Sequence, residues 1–293
     1  VATRRLAGLP LFSEFPPVSI RALALALAAS TLAISAASAA DVYTPDTTEV
    51  AVVNNADLII ELGAGISTQP AYEGANDYIV SGFPIVALQY LSIPGLFNIG
   101  SPDERQGGLR IGPSFRFVDK RNAADYPELL GTLPLDDSYQ IGLRAGYEFP
   151  VYETLNVEVY GAARYAFNEG EGFVGDAGFD LISRPRPDLE FKLGPRTSFA
   201  DSDYMDTYFA VKPIEALGSF GGLRAYDTSG GFKSVGVAAS ARYEFRPDWF
   251  LNANAAWDRL VGDAADSPIA QVGSKDQFFA GLGLSRRFSF DLF

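Results

Sequence analysis

The sequence contains no cysteine and no histidine. The first absence rules out a disulfide framework, a thiolate nucleophile and any Cys-based metal site. The second removes His-containing triads, imidazole general bases and His metal ligands in one step. Lys and Arg together number 23 against 36 Asp and Glu. The net charge of −13 and the pI of about 4.5 argue against a nucleic-acid partner, which requires clustered Lys and Arg. Beyond residue 40 there is also no apolar run of the roughly 20 residues that a membrane helix needs.

What is plentiful is glycine (29), phenylalanine (22) and tyrosine (14), a balance that leans towards β structure. The N-terminus reads as an export signal. Arg21 precedes an Ala- and Leu-rich run that ends in Ala37-Ser38-Ala39, a small-x-small cleavage pattern. A single transmembrane anchor is the alternative, but the Ala-dominated run and its small-residue ending favour cleavage. The expected organisation is a signal peptide over 1–40, a short periplasmic segment over 41–56 and one domain over 57–293.

The pattern that recurs along this domain has period two and persists for ten or more residues. In 107–118, Leu109, Ile111, Phe115 and Phe117 share one face and Arg110, Ser114 and Arg116 the other. In 138–149, Tyr139, Ile141, Leu143, Tyr147 and Phe149 oppose Gln140, Arg144 and Glu148. The same split appears in 155–167, where Glu158 and Arg164 lie on the polar face, and in 188–200, 233–245 and 249–260. Soluble strands usually run about 5 or 6 residues, whereas a tilted membrane-crossing strand needs about 9–11. The apolar faces end in aromatic pairs (Tyr147/Phe149, Tyr165/Phe167, Tyr243/Phe245), as an interfacial girdle requires. An exported soluble sandwich would have to bury the charged face at high cost.

The pattern therefore predicts an all-β, antiparallel, closed transmembrane β-barrel in the outer membrane. It has about 12 strands, with ten as the alternative: 57–68, 78–90, 93–100, 107–118, 138–149, 155–167, 172–183, 188–200, 205–212, 233–245, 249–260 and 277–290. One inconsistency points to a misread element between 168 and 232. The segments FPVYETL and FRPDWFL both look like short periplasmic turns, yet twelve strands put them at opposite ends. The lumen candidates are Arg110, Arg116, Arg144, Glu148, Glu158, Arg164, Glu190, Lys192, Arg196, Arg242 and Glu244. They would either line a selective pore or close it with salt bridges.

Four segments resemble the MipA/OmpV family of outer-membrane proteins. Pro70, Tyr72, Glu73, Gly74, Asp77 and Tyr78 match its first hairpin loop. Asp206, Tyr208 and Phe209 match an Asp-x-Tyr-Phe-Gly-Val segment, with Ala210 in place of the Gly. Gly262, Asp263, Asp266, Ser267 and Pro268 match the loop before its last strand, and 278–288 matches its closing strand. The family usually ends at the position of Phe288, whereas this chain runs on to Phe293; the resemblance implies that one of these aromatics is presented to the barrel-insertion machinery. Arg286 replaces a usual aromatic on the lipid face, where it would snorkel to the interface. The resemblance implies a scaffold for murein hydrolases and synthases, set among outer-membrane lipid and lipopolysaccharide; the alternative is a channel for small polar solutes.

Catalysis and cofactors are not expected. Catalytic barrels of this membrane resemble one another in using a His. The acidic clusters Asp201/Asp203/Asp206 and Glu169/Glu171 read as solvated loops, with divalent ions as their most plausible company. Glu73 and Asp77 are expected at the tip of the first surface loop. The segment 119–137, with its apolar middle, is a docking surface if it faces the periplasm and a lumen-folded loop otherwise.

Overall fold

The computed structural model describes residues 56–102, 107–220 and 222–292. The expected signal peptide and all but Ala56 of the expected 41–56 segment lie outside these residues. Eleven strands form one antiparallel sheet: β1 (Leu58–Pro70), β2 (Tyr78–Ile93), β3 (Phe97–Gly100), β4 (Gly108–Val118), β5 (Ser138–Tyr152) and β6 (Leu155–Phe167), then β7 (Gly172–Arg186), β8 (Leu189–Ala200), β9 (Gly231–Arg246), β10 (Trp249–Leu260) and β11 (Asp276–Phe290). Each pairs with its neighbour in chain order except β3 and β4, which do not pair with each other, and β1 pairs with β11.

The two ends of the sheet are β3 and β4. Four-residue β3 bonds to the far end of β2, while β4 bonds to β5 and lies alongside both β2 and β3. The short strand and β4 thus share one position in the wall, and the barrel has ten staves. An even number follows from strict up–down alternation with the start of β1 and the end of β11 on one side.

The expected twelfth strand, 205–212, is a helix instead. Asp201 caps it by accepting from the Tyr204 N–H, giving α1 (Ser202–Phe209). Its buried side chains, Tyr204, Met205, Tyr208 and Phe209, fall at i, i+1, i+4 and i+5, one face of a helix. With this strand removed the inconsistency disappears. The tight turns β5–β6, β7–β8 and β9–β10 share one end with Leu58 and Phe290, and the connections 71–77, 119–137, 201–230 and 261–275 lie at the other. By loop length the long-loop end is extracellular.

Outward residues alternate with lumen residues along every long stave. Leu143, Val159, Leu193 and Leu282 are more than half exposed on the outer face. Aromatic pairs occupy both rims: Tyr165 stacks on Phe167 and Phe173 towards the long loops, and Tyr147 on Phe149 towards the short turns. This is the two-girdle arrangement of a lipid-embedded barrel. Arg286 lies against the Trp249 and Phe288 rings, 5.4 and 5.2 Å from their centroids, so its charge is held at the rim on aromatic faces.

Candidate functional site: the lumen and its loop cap

Parity places the charged faces inside, and the structure sorts them into layers. Near the short turns Glu61 accepts from Arg242 (2.7 Å), Gln89 (2.9 Å) and Ser285. Beside it Glu148 accepts from Arg110 (2.6 Å), Arg184 (2.5 Å) and Asn156 (2.5 Å), and Arg184 also reaches Glu190. Arg287 closes this layer on Glu244 at 2.9 Å. In the middle Glu158 takes Arg144 at 2.6 Å and has Lys192 at 3.8 Å. Higher up Arg164 pairs with Asp176, and Arg196 with Asp258. Glu148 and Glu158 are completely buried. A buried carboxylate is tolerated only with such multiple donors.

The top layer is built on Glu73. The first loop does not hold this residue at an exposed tip, as the sequence suggested; it turns it inward. Its Oε1 accepts from Lys233 Nζ (2.8 Å), Arg116 Nη2 (2.9 Å) and the Tyr204 hydroxyl (3.0 Å). Burial alone would raise the carboxyl pKa, but the Lys233 and Arg116 charges outweigh it and hold the group at about 2. Gly74, at φ +93°, makes the inward turn, and its N–H is received by Gln277 at 3.2 Å. Asp77 and Tyr78 do remain at the surface, where Asp77 accepts from the Ala71 N–H through its carbonyl.

Above this layer the long loops interlock into a cap. Three short helices follow α1: α2 (Pro213–Gly218) in the same loop and, before the last strand, α3 (Gly262–Asp266) running into α4 (Pro268–Val272). Tyr204, Met205, Tyr208 and Phe209 pack with Ala264, Ala265 and Ala270 into one apolar cluster. Tyr72, Leu129, Val211, Leu223 and Ile269 form a second. Ser267, fully buried, donates to the Phe209 carbonyl at 2.5 Å and accepts from the Ile269 N–H, which caps α4. Asp263 accepts from the Ser229 N–H and hydroxyl, and Asp206 from the Thr228 hydroxyl. Tyr72 donates to Glu128 at 2.9 Å. Arg121 is buried and donates to the Tyr208 carbonyl at 2.9 Å; burial brings its guanidinium down to about 10 despite the opposing pull of Glu215.

The loop-motif residues thus converge: Tyr72, Glu73, Tyr208, Phe209, Ser267 and Pro268 are all buried parts of the cap. Segment 119–137 belongs to it too, through Arg121 and Leu129, and lies at the long-loop end. It is therefore not a periplasmic docking surface. All eleven lumen candidates are ion-paired. The sequence reading missed Glu61, Asp176, Asp180, Arg184 and Lys233 as lumen residues and did not single out Asp258. Glu61, Asp176, Asp180 and Asp258 lie on the polar parity of the expected strands and Arg184 one residue beyond 172–183, whereas Lys233 is out of parity with Arg242 and Glu244 because the β8–β9 register shifts between Ser198 and Phe199. Phe288 sits in β11 opposite Ile60, and Phe293 lies outside the described residues. Beneath the cap is a cavity of about 740 Å³, walled by Arg116, Arg164, Asp176 and Lys233.

The family described as MltA-interacting protein MipA matches residues 62–288, from the first strand to the last. The chain belongs to the MipA family. It is 32% identical to outer membrane protein OmpV of Vibrio cholerae over 122 residues, which cover 41% of this chain and 44% of that protein. The MipA-type barrel is thus an outer-membrane protein. Among solved structures it is similar to the COG4313 outer membrane channel of Pseudomonas putida F1 (12% identity, TM-score 0.43, 85% of this chain and 100% of that one). It is also similar to the N-terminal β-barrel domain of Pseudomonas aeruginosa OprF (15% identity, TM-score 0.28, 62% and 100%).

Proposed function

We propose that this MipA-type barrel is an occluded scaffold in the outer membrane, acting through its short-turn face on murein hydrolase–synthase assemblies. The observation that supports this reading is the complete burial of Glu148 and Glu158 under arginine and lysine partners in the lumen. The family description, MltA-interacting protein, supports a murein-enzyme partner. On the short-turn face Tyr152 (73% exposed) and Leu96 (76%) offer apolar purchase to such a partner. Lipid and lipopolysaccharide would surround the outer face, and the insertion machinery would read the aromatic end of β11.

A second reading, a channel for small polar solutes, is favoured by the charged cavity beneath the cap. Single-channel recording in a planar bilayer separates the two. The scaffold reading expects a correctly inserted but silent barrel that retains murein enzymes through its short turns, with retention lost on Tyr152→Asp. Steady ohmic openings that change with Arg144→Ala or Glu148→Ala would replace it with the channel.

A further inference from the structure

The wall of the barrel has a seam. β4 runs beside β2, yet among the described residues no ladder and no backbone hydrogen bond joins them. The cause is visible in the sequence as Pro84 in β2 and Pro113 in β4. The β1–β2 ladder passes Pro84 unbroken, and the β4–β5 ladder passes Pro113 unbroken. In each strand the missing N–H therefore falls on the side turned to the seam. Pro195 shows the contrary case: the β7–β8 ladder skips from Gly178↔Arg196 to Leu181↔Leu193 around it. A Cβ on Gly112 would stand 3.9 Å from the Leu88 nitrogen, so the two prolines flank the same stretch of seam. Unpaired strand edges are costly in lipid, and such a gap calls for an occupant.

The cavity of about 740 Å³ connects with this gap, because its boundary includes residues from both sides of the wall. At the outer mouth are Gly82, Pro84 and Phe115, which face the lipid; the last is 48% exposed. At the inner end are Arg116 and Arg164. Arg116 is 40% exposed and gives one N–H to Glu73. Arg164 is 5% exposed, and its buried Nε has no partner. Guanidinium donors left over inside, with an apolar mouth outside, match a molecule with an anionic head and an apolar tail. The volume falls in the range of about 300–1,000 Å³ usual for small-molecule sites.

We propose that the β2–β4 seam is a lateral doorway to the bilayer, and that the cavity behind it binds a single-chain amphiphile of the fatty-acid class. Its carboxylate lies on the exposed part of the Arg116 guanidinium, with the Arg164 charge behind it. Its tail passes between Pro84 and Phe115 into the lipid. The site is independent of the scaffold reading and stands whether or not the lumen conducts.

The test uses the protein in phospholipid nanodiscs and a 16-carbon fatty acid carrying a tail diazirine, with cross-linked residues mapped by mass spectrometry. The expected label concentrates on β2 and β4 around Phe83 and Phe115, and unlabelled fatty acid competes it away while the matching fatty alcohol does not. Arg116→Gln weakens competition roughly tenfold, the loss of a charged hydrogen bond. Gly82→Trp fills the mouth and removes the label. A Cβ at Gly82 meets only the Gly65 carbonyl oxygen, at 3.9 Å, so this variant keeps its fold; heat-modifiable gel migration checks both variants. Label spread evenly over lipid-facing Leu143, Phe173 and Leu282, without competition, overturns the site. So does full labelling of folded Gly82→Trp, and equal competition by the alcohol overturns the carboxylate head.

Discussion

Glu73 is the side chain on which the first loop, β4, β9 and α1 all converge. Its donors lie 43, 131 and 160 positions away in the chain. Glu73→Gln leaves Lys233 and Arg116 facing each other without an anion, a change expected to loosen the cap by about 3–5 kcal/mol. Proteinase K cleavage within 201–230, with the strands intact, reads that loss. The carboxyl has a folded-state pKa of about 2 against an ordinary 4.5. Its stabilisation is therefore complete above pH 4.5 and is lost as the pH falls towards 2. Pepsin cleavage of the same loop should rise through that interval in the native protein and be high throughout it in Glu73→Gln. The sequence marked Glu73 as a motif residue. It could not show that the side chain points inward, because the cations that draw it there are remote in the chain.

At the scale of elements, the strands were legible and the cap helices were not. Strand length and alternation identify β6 and β10 residue by residue and β5 to within its last three residues, since one buried and one lipid face impose period two over the whole element. The eight residues of α1 offer barely two turns, too few for a helical period to show in the sequence. Only the packing of Tyr204 and Phe209 against the helices of the last loop decides the matter. Ser267 ties those helices together. Ser267→Ala should cost about 1–2 kcal/mol and speed amide exchange across 268–272, leaving the strands unchanged. Gly142 exposes a different constraint: a Cβ there would lie 1.8 Å from the Ala163 carbonyl oxygen. Gly142→Val should keep β5 from closing on β6, and the heat-modifiable gel shift of the refolded barrel would disappear.

For the whole molecule, the seam leaves the wall as one laddered arc and a weak join. Hydrogen exchange in nanodiscs should therefore reach the seam-facing amides of β2 and β4 well before those of β6 or β9, which are bonded on both sides. Equal protection around the barrel would mean that the join is zipped in the membrane. The ten staves also keep the lumen narrow. The side chains facing each other across it are charged, so they neutralise one another across two or three strands, as Arg242 does with Glu61 and Arg196 with Asp258.

The sequence by itself determined that this is a membrane barrel, which faces of its strands meet lipid, and about two thirds of the residues that carry charge into the lumen. Period two, strand length and aromatic ends are local properties, written within a dozen consecutive residues. The tertiary structure alone decided which charges pair, that Glu73 enters the lumen, that four long loops share one apolar cap, and that Pro84 and Pro113 meet at one seam. Those outcomes depend on segments up to 224 positions apart, such as Glu61 and Ser285, brought together only when the sheet curls round to meet its own edge.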